Sequence, residues 1–119
     1  MAWDVEVTDQ FVEWFDGLSD AGQNVVDIAI QLLGEEGPAL GRPFVDTLRG
    51  SRHRNLKELR PQASAIRVLF AFDPRRTAIL LLGGDKQDRW QAFYREAIPQ
   101  ADDLYDEHLE TLRSEGLLP

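Results

Sequence analysis

The chain has 119 residues, 43% hydrophobic and 29% charged, which suits one globular domain with its own core. It carries a net charge of −8 and no cysteine, which excludes disulfides, thiolate nucleophiles and cysteine-ligated zinc. No run approaches the roughly 20 apolar residues of a membrane span. Met1 to Val7 lack the basic and apolar regions of a secretory signal, so a cytoplasmic protein without a membrane partner is expected.

Trp3, Val5 and Val7 alternate with polar residues and predict a half-buried opening strand. Thr8 or Asp9 can cap a short helix with Phe11, Trp14, Phe15 and Leu18 on one face. Ser19-Asp20 restarts a second helix, which runs to about Leu33 and ends at Gly34 and Gly37-Pro38. Strands follow at Phe44–Leu48, Arg54–Arg60 and Ile66–Phe72. Thr77–Leu82 is apolar on both parities, as in a strand covered on both faces, and Gly83-Gly84 should break it. A helix around Trp90, Phe93, Tyr94 and Ala97 should stop at Pro99, and a last one carries Ala101, Leu104, Tyr105, His108 and Leu112. The short links between the central strands predict an α+β fold: a small, mainly antiparallel sheet with the helices on one face. Residues 1–119 form a single domain in this reading, with 100–119 as a C-terminal helical extension.

The charge is unevenly spread. No Lys or Arg precedes Arg42, against nine acids; Arg42 to Arg95 holds twelve basic and five acidic residues; beyond it there are seven acids and Arg113. Clustered like charges repel, so the segment predicts a basic face directed at an anion. Its centre is Leu56-Lys57-Glu58-Leu59-Arg60 and Ile66-Arg67-Val68-Leu69-Phe70. In a hairpin with Arg60 opposite Arg67, Glu58 faces Leu69 and Lys57 faces Phe70. Two facing guanidinium groups repel across a ladder but are well shaped for phosphate oxygens. The alternative is that Glu58 bridges both arginines in a solvated face, and both readings stay open here.

These segments, with the strand ending in Gly83-Gly84-Asp85-Lys86 and the helix containing Ala97, resemble the RelE/HigB superfamily of toxins, closest to its HigB-like, phage-related branch. The resemblance covers most of the chain, Arg49 to Ala97 most specifically. It implies the toxin of a type II toxin–antitoxin system, a hydrolase that cleaves mRNA on the ribosome as an endoribonuclease. It also implies an antitoxin encoded next to it, with helix-turn-helix DNA binding. Arg60, Arg67 and Lys86 fall at basic positions of the family's active surface; Lys57 stands where relatives often carry an aromatic residue.

RNA cleavage by the 2′-hydroxyl needs a base, charge stabilisation at the phosphate and an acid for the leaving oxygen. Arg60 and Arg67 suit the charge, Lys86 a phosphate contact or the acid. His53, within Arg52-His53-Arg54, is the candidate base, because neighbouring cations favour its neutral form. Arg52, Arg54, Lys57, Arg75 and Arg76 are the further RNA-binding candidates. His108 sits on an apolar helical stripe and reads as a packed histidine; Tyr94 and Trp90 read as packed on their helix, with stacking on a base near the cleft as the alternative for Tyr94. Asp85 and Asp88 alone are too few ligands for a metal, so neither metal nor cofactor is expected. The acidic N-terminal helices, with Glu13 and Asp16, suit a cationic antitoxin segment. A gyrase-directed toxin of the ParE type and a non-catalytic binding module are the alternatives on the same fold.

Overall fold

A computed structural model describes residues 2–87 and 89–118. Strand β1 (Val5–Val7) leads into helices α1 (Asp9–Asp16) and α2 (Asp20–Glu36), followed by a 3-10 turn at Gly37–Ala39. Strands β2 (Val45–Thr47), β3 (Lys57–Leu59), β4 (Ile66–Phe72) and β5 (Ala78–Asp85) precede the long helix α3 (Trp90–Ser114). The sheet order is β1-β5-β4-β3-β2, with β1 parallel to β5 and the other pairs antiparallel. The expected α+β class and mainly antiparallel sheet are thus present.

Local chemistry sets the helix ends. The Thr8 hydroxyl accepts from Phe11 N at 3.0 Å and donates to Leu81 O at 2.6 Å, so one side chain starts α1 and ties it to β5. Ser19 caps α2 through Gly22 N. Gly34 lies inside α2 and does not end it; the stop comes at Gly37, whose φ of +60° suits glycine. A side chain there would also strike the Trp3 indole, 2.3 Å from an added Cβ.

The helices do not share one face, as the sequence suggested. From α1 and α2, Phe11, Val26, Ala29 and Leu33 pack on Leu59, Val68, Phe70 and Leu80. Helix α3 covers the opposite face, with Phe93, Ala97, Ala101 and Tyr105 against Leu56, Leu69, Ala71 and Ile79. A strand apolar on both parities requires this second layer. It also explains the opposite parity of Leu56 and Leu59: each faces a different core. The two expected C-terminal helices are one, for α3 runs through Pro99 and residues 100–114 continue it. Pro99 is exposed, and the apolar stripe of the helix passes it without interruption. Val7 is 46% exposed rather than inward, because β1 is a three-residue edge strand whose helical cover reaches Val5 only.

Gly83 and Gly84 also lie within β5 instead of breaking it. The pairing shifts between Leu69↔Leu82 and Phe70↔Leu80, so Leu81 is an extra residue in the ladder. The shift turns Gly83 toward Trp14 of α1 and Gly84 toward Phe93 of α3. Each glycine lets an aromatic ring approach the sheet more closely than a side chain would allow. A Gly83→Ala Cβ would meet the Trp14 ring at 2.3 Å. Overpacking of this kind costs about 1–3 kcal/mol, so this variant should unfold at lower denaturant with an unchanged m-value in urea melts.

Candidate active site

Strand β3 pairs with β4 in the expected register, Glu58 opposite Leu69 and Lys57 opposite Phe70. Glu58 therefore points to the α3 side, where Tyr94 meets it. The residue is buried, 3% exposed. Oε1 accepts from Arg60 Nε at 3.0 Å and from the Tyr94 hydroxyl at 2.8 Å. Arg67 Nε lies 3.3 Å from the same oxygen, close enough for attraction but not aligned for a hydrogen bond, and is a buried donor without a partner. Among the described residues no hydrogen bond goes to the other oxygen, Oε2. The carboxylate is thus tethered through one of its two oxygens.

A groove of about 480 Å³ opens beside Glu58, between β2–β3 and the first turns of α3. Arg42, Arg49, Arg60, Lys86, Trp90 and Tyr94 line it. Arg60 is braced by Glu58 and by Asp46, 3.3 Å from its NH2, and its NH1 makes no hydrogen bond among the described residues. Burial first, then repulsion from Arg67, holds the Lys86 ammonium below the usual lysine range. Burial and the bond to Glu58 push the Tyr94 hydroxyl up to about 12, so it stays protonated and acts as a donor.

Arg60 and Lys86 thus share the groove. Arg67 lies deeper, 13% exposed, with NH1 donating to the carbonyls of Ser64 and Ile66. It braces Glu58 from below. Glu58 contacts both arginines, as the bridging alternative had it, but buried rather than on a solvated face, and of the two arginines only Arg60 lines the groove.

The remaining candidates lie elsewhere. His53 Nε2 is 2.7 Å from Asp106 of α3, and its ring packs edge-on against Tyr105. The nearby Asn55 donates to Phe72 O, at the far end of β4. That end is roughly 17 Å along the strand from Arg67. His53 is therefore too distant to take a proton beside Arg60. Arg52 pairs with Asp102, Asp103 and Asp106, and Arg54 is exposed in the same loop. Arg75 is held by Asp73 and Glu6 across from β1, and Arg76 lies over the Trp3 ring. Lys57 points to the other sheet face, its ammonium 3.4 Å from Thr47 Oγ1. His108 is packed, with Nε2 2.9 Å from Asp73. Asp88 lies outside the described residues, so the Asp85–Asp88 pair has no geometry; no metal-binding cluster of three occurs among the described residues.

The basic middle is thus not one face. Among the described residues, Arg42, Arg52, Arg60, Arg67, Arg75, Arg89 and Arg113 all pair with carboxylates. Several of those carboxylates come from the acidic ends of the chain: Glu6, Glu96, Asp102, Asp103 and Asp106. Sequence reasoning gave Glu58 only as a bridge between the arginines and Tyr94 only as a packed or base-stacking residue, and missed the hydrogen bond between them. The available signal was Glu58 two residues before Arg60 on one strand face, with a tyrosine on the helix after β5.

The family model described as phage derived protein Gp49-like (DUF891) matches residues 13–106. A protein of Mycobacterium tuberculosis named "Putative toxin HigB2" is 49% identical over 112 residues, 92% of this chain and 55% of its own length. The chain thus spans about half of that relative. A second, "Putative toxin HigB3" of the same organism, is 53% identical over 78% of this chain and 82% of its own. The isolated RelE toxin of E. coli shares the fold, with a TM-score of 0.58 at 12% identity, over 79% of this chain and 98% of that one. The archaeal RelE–RelB complex of Pyrococcus horikoshii gives 0.57 at 20% identity, over 74% and 99%. Family match, relatives and shared fold agree with one another: this chain belongs to the phage-derived Gp49-like family, the HigB-like branch of the RelE/HigB superfamily.

Proposed function

We propose that this chain is the toxin of a type II toxin–antitoxin pair and cleaves mRNA on the ribosome, in the cytoplasm, at the Glu58 groove. The observation that carries the reading is the Glu58 carboxylate, tethered by one oxygen among Arg60, Arg67 and Tyr94 beside a cationic groove. The names of the relatives support the toxin assignment, and neighbours of known structure that are toxin–antitoxin complexes support an antitoxin partner.

In the proposed reaction Oε2 of Glu58 takes the proton of a ribose 2′-hydroxyl. The freed oxygen attacks the adjacent phosphorus, while Arg60 holds the charge on the phosphate oxygens. Lys86, a more acidic ammonium than an ordinary lysine, gives its proton to the departing 5′-oxygen. The P–O5′ bond breaks, leaving a 2′,3′-cyclic phosphate and a 5′-hydroxyl. Arg67 and Tyr94 position Glu58 and touch no substrate. The antitoxin, a helix-turn-helix protein in this reading, docks on α1, where Glu13 and Trp14 line a shallow groove away from the site.

Brief induction of the chain followed by mapping of transcript 5′ ends tests the proposal. New 5′-hydroxyl ends within coding regions are expected, lost in the Arg60→Ala, Arg67→Ala double variant while it stays folded. A DNA-damage response without new ends would move the target to gyrase. Full toxicity in the folded double variant would remove these arginines from the site.

A further inference from the structure

Trp90 opens α3 and is 55% exposed, the one aromatic side chain among the exposed large hydrophobic residues described. It borders two grooves that share Trp90, Tyr94 and Ile98. The first is the groove of Glu58. The second, of about 400 Å³, is mostly apolar and runs past Gly50, Gln91, Arg95 and Pro99. Among the described residues no carboxylate lines it. Arg49 on the first groove and Arg95 on the second have no ion-pair partner among the described residues, unlike seven of the other arginines. Most cations in this protein are compensated by its own acids, yet these two flank a bare indole.

We propose that Trp90 is a stacking platform for one base of a single-stranded RNA, next to the nucleotide whose phosphate sits on Arg60 and Lys86. This rests on the endoribonuclease reading of the first groove. An indole face accepts any base, and stacking adds affinity without reading sequence. Arg49 and Arg95 hold the phosphates on either side of the stacked base. Such a platform fixes which phosphodiester lies beside Glu58. A protein partner fits less well: a helix from an acidic partner would seek the cations but leave the flat apolar floor beside Trp90 without a planar group to cover it.

The test uses the intact chain and a 2′-deoxy hexanucleotide of mixed sequence, which lacks the hydroxyl that cleavage needs. Trp90→Ala should weaken binding about tenfold, equivalent to about 1.4 kcal/mol, and Trp90→Phe by less. An abasic sugar at one position of the hexamer should weaken binding to the wild type and cost nothing further in Trp90→Ala. Arg60→Ala serves as the control for the first groove. If Arg60→Ala weakens binding while Trp90→Ala does not, the platform is overturned, the first groove stands, and the exposed indole falls to a protein contact. If the hexamer does not bind the wild type, or binds without regard to Arg60, the nucleic-acid reading of both grooves fails. Trp90 is exposed, so its variants should keep the wild-type circular dichroism and melting curve; a lowered melting point would assign it a packing role instead.

Discussion

Glu58→Gln should abolish most RNA cleavage while leaving RNA binding intact or tighter. The amide keeps an oxygen for Arg60 and Tyr94, so the shape of the site survives. It no longer accepts a proton usefully, and loss of a positioned base costs about 10²–10⁴ in rate. It also removes a negative charge from beside Arg60, Arg67 and Lys86, which makes the groove more attractive to phosphate. Single-turnover cleavage of ribosome-bound message, run beside filter binding of the same RNA, separates the two effects. A Gln variant that cuts at the wild-type rate would confine Glu58 to holding the two arginines in place.

Asp73→Asn should be the most destabilising polar change in the protein. Asp73 closes the turn between β4 and β5 with a side chain that is 0% exposed. Its oxygens accept from Arg75 N, Arg75 Nε and NH2, and Thr77 N, and lie 2.9 Å from His108 on α3. Removing one partner of a buried pair leaves the other uncompensated, at a cost of about 3–5 kcal/mol; the lower end applies because Arg75 is 24% exposed. That is a large part of the 5–15 kcal/mol typical of a domain. The same contacts give a pH signature. Burial opposes the charged form, but the bonds from His108 and Arg75 outweigh it and hold the Asp73 carboxyl below its usual range. A lowered folded value means that the stabilisation is complete above the unfolded carboxyl value, near 4, and is lost as pH falls toward the folded value. Urea melts from pH 6 down to pH 2 should show the Asn variant weaker at pH 6 and converging on the wild type in acid. A constant gap across that range would deny Asp73 its charged role.

The patterns that were legible in the sequence are those set by neighbours along the chain. Thr8 and Ser19 announced their helices because a cap acts within three residues. The β3–β4 register was supposed by setting Arg60 opposite Arg67, and the pairs Glu58 with Leu69 and Lys57 with Phe70 match it. Arg60 and Lys86 were brought together only by the family resemblance; they follow β3 and β5, which β4 separates in the sheet. What was not legible depends on contacts distant in sequence. His53 looked catalytic beside two arginines, yet Asp106 of α3 holds it, 53 positions away. The extension of β5 through Gly83-Gly84 follows from a bulge at Leu81 and two aromatic rings from different helices. Glu58 read as a neutralising bridge because nothing local shows that Tyr94 ties down one oxygen and leaves the second open.

The folding back of the acidic ends onto the basic middle changes how this protein meets a polyanion. A cation already paired with its own carboxylate displaces few of the counterions condensed on a nucleic acid, even where, like Arg60, it keeps an NH1 without a hydrogen bond among the described residues that can reach a phosphate. At the two grooves the cations without a carboxylate partner among the described residues are Arg49, Lys86 and Arg95. Three such contacts on a single strand correspond to a slope of about −2 in log affinity against log salt, where all twelve cations of the basic segment would give about −8. Counterion release is therefore a minor source of affinity, and salt is a weak brake. On the proposed function the grip on RNA would come from short-range chemistry, and an acidic protein could then hold such a target in the ionic conditions of a cell.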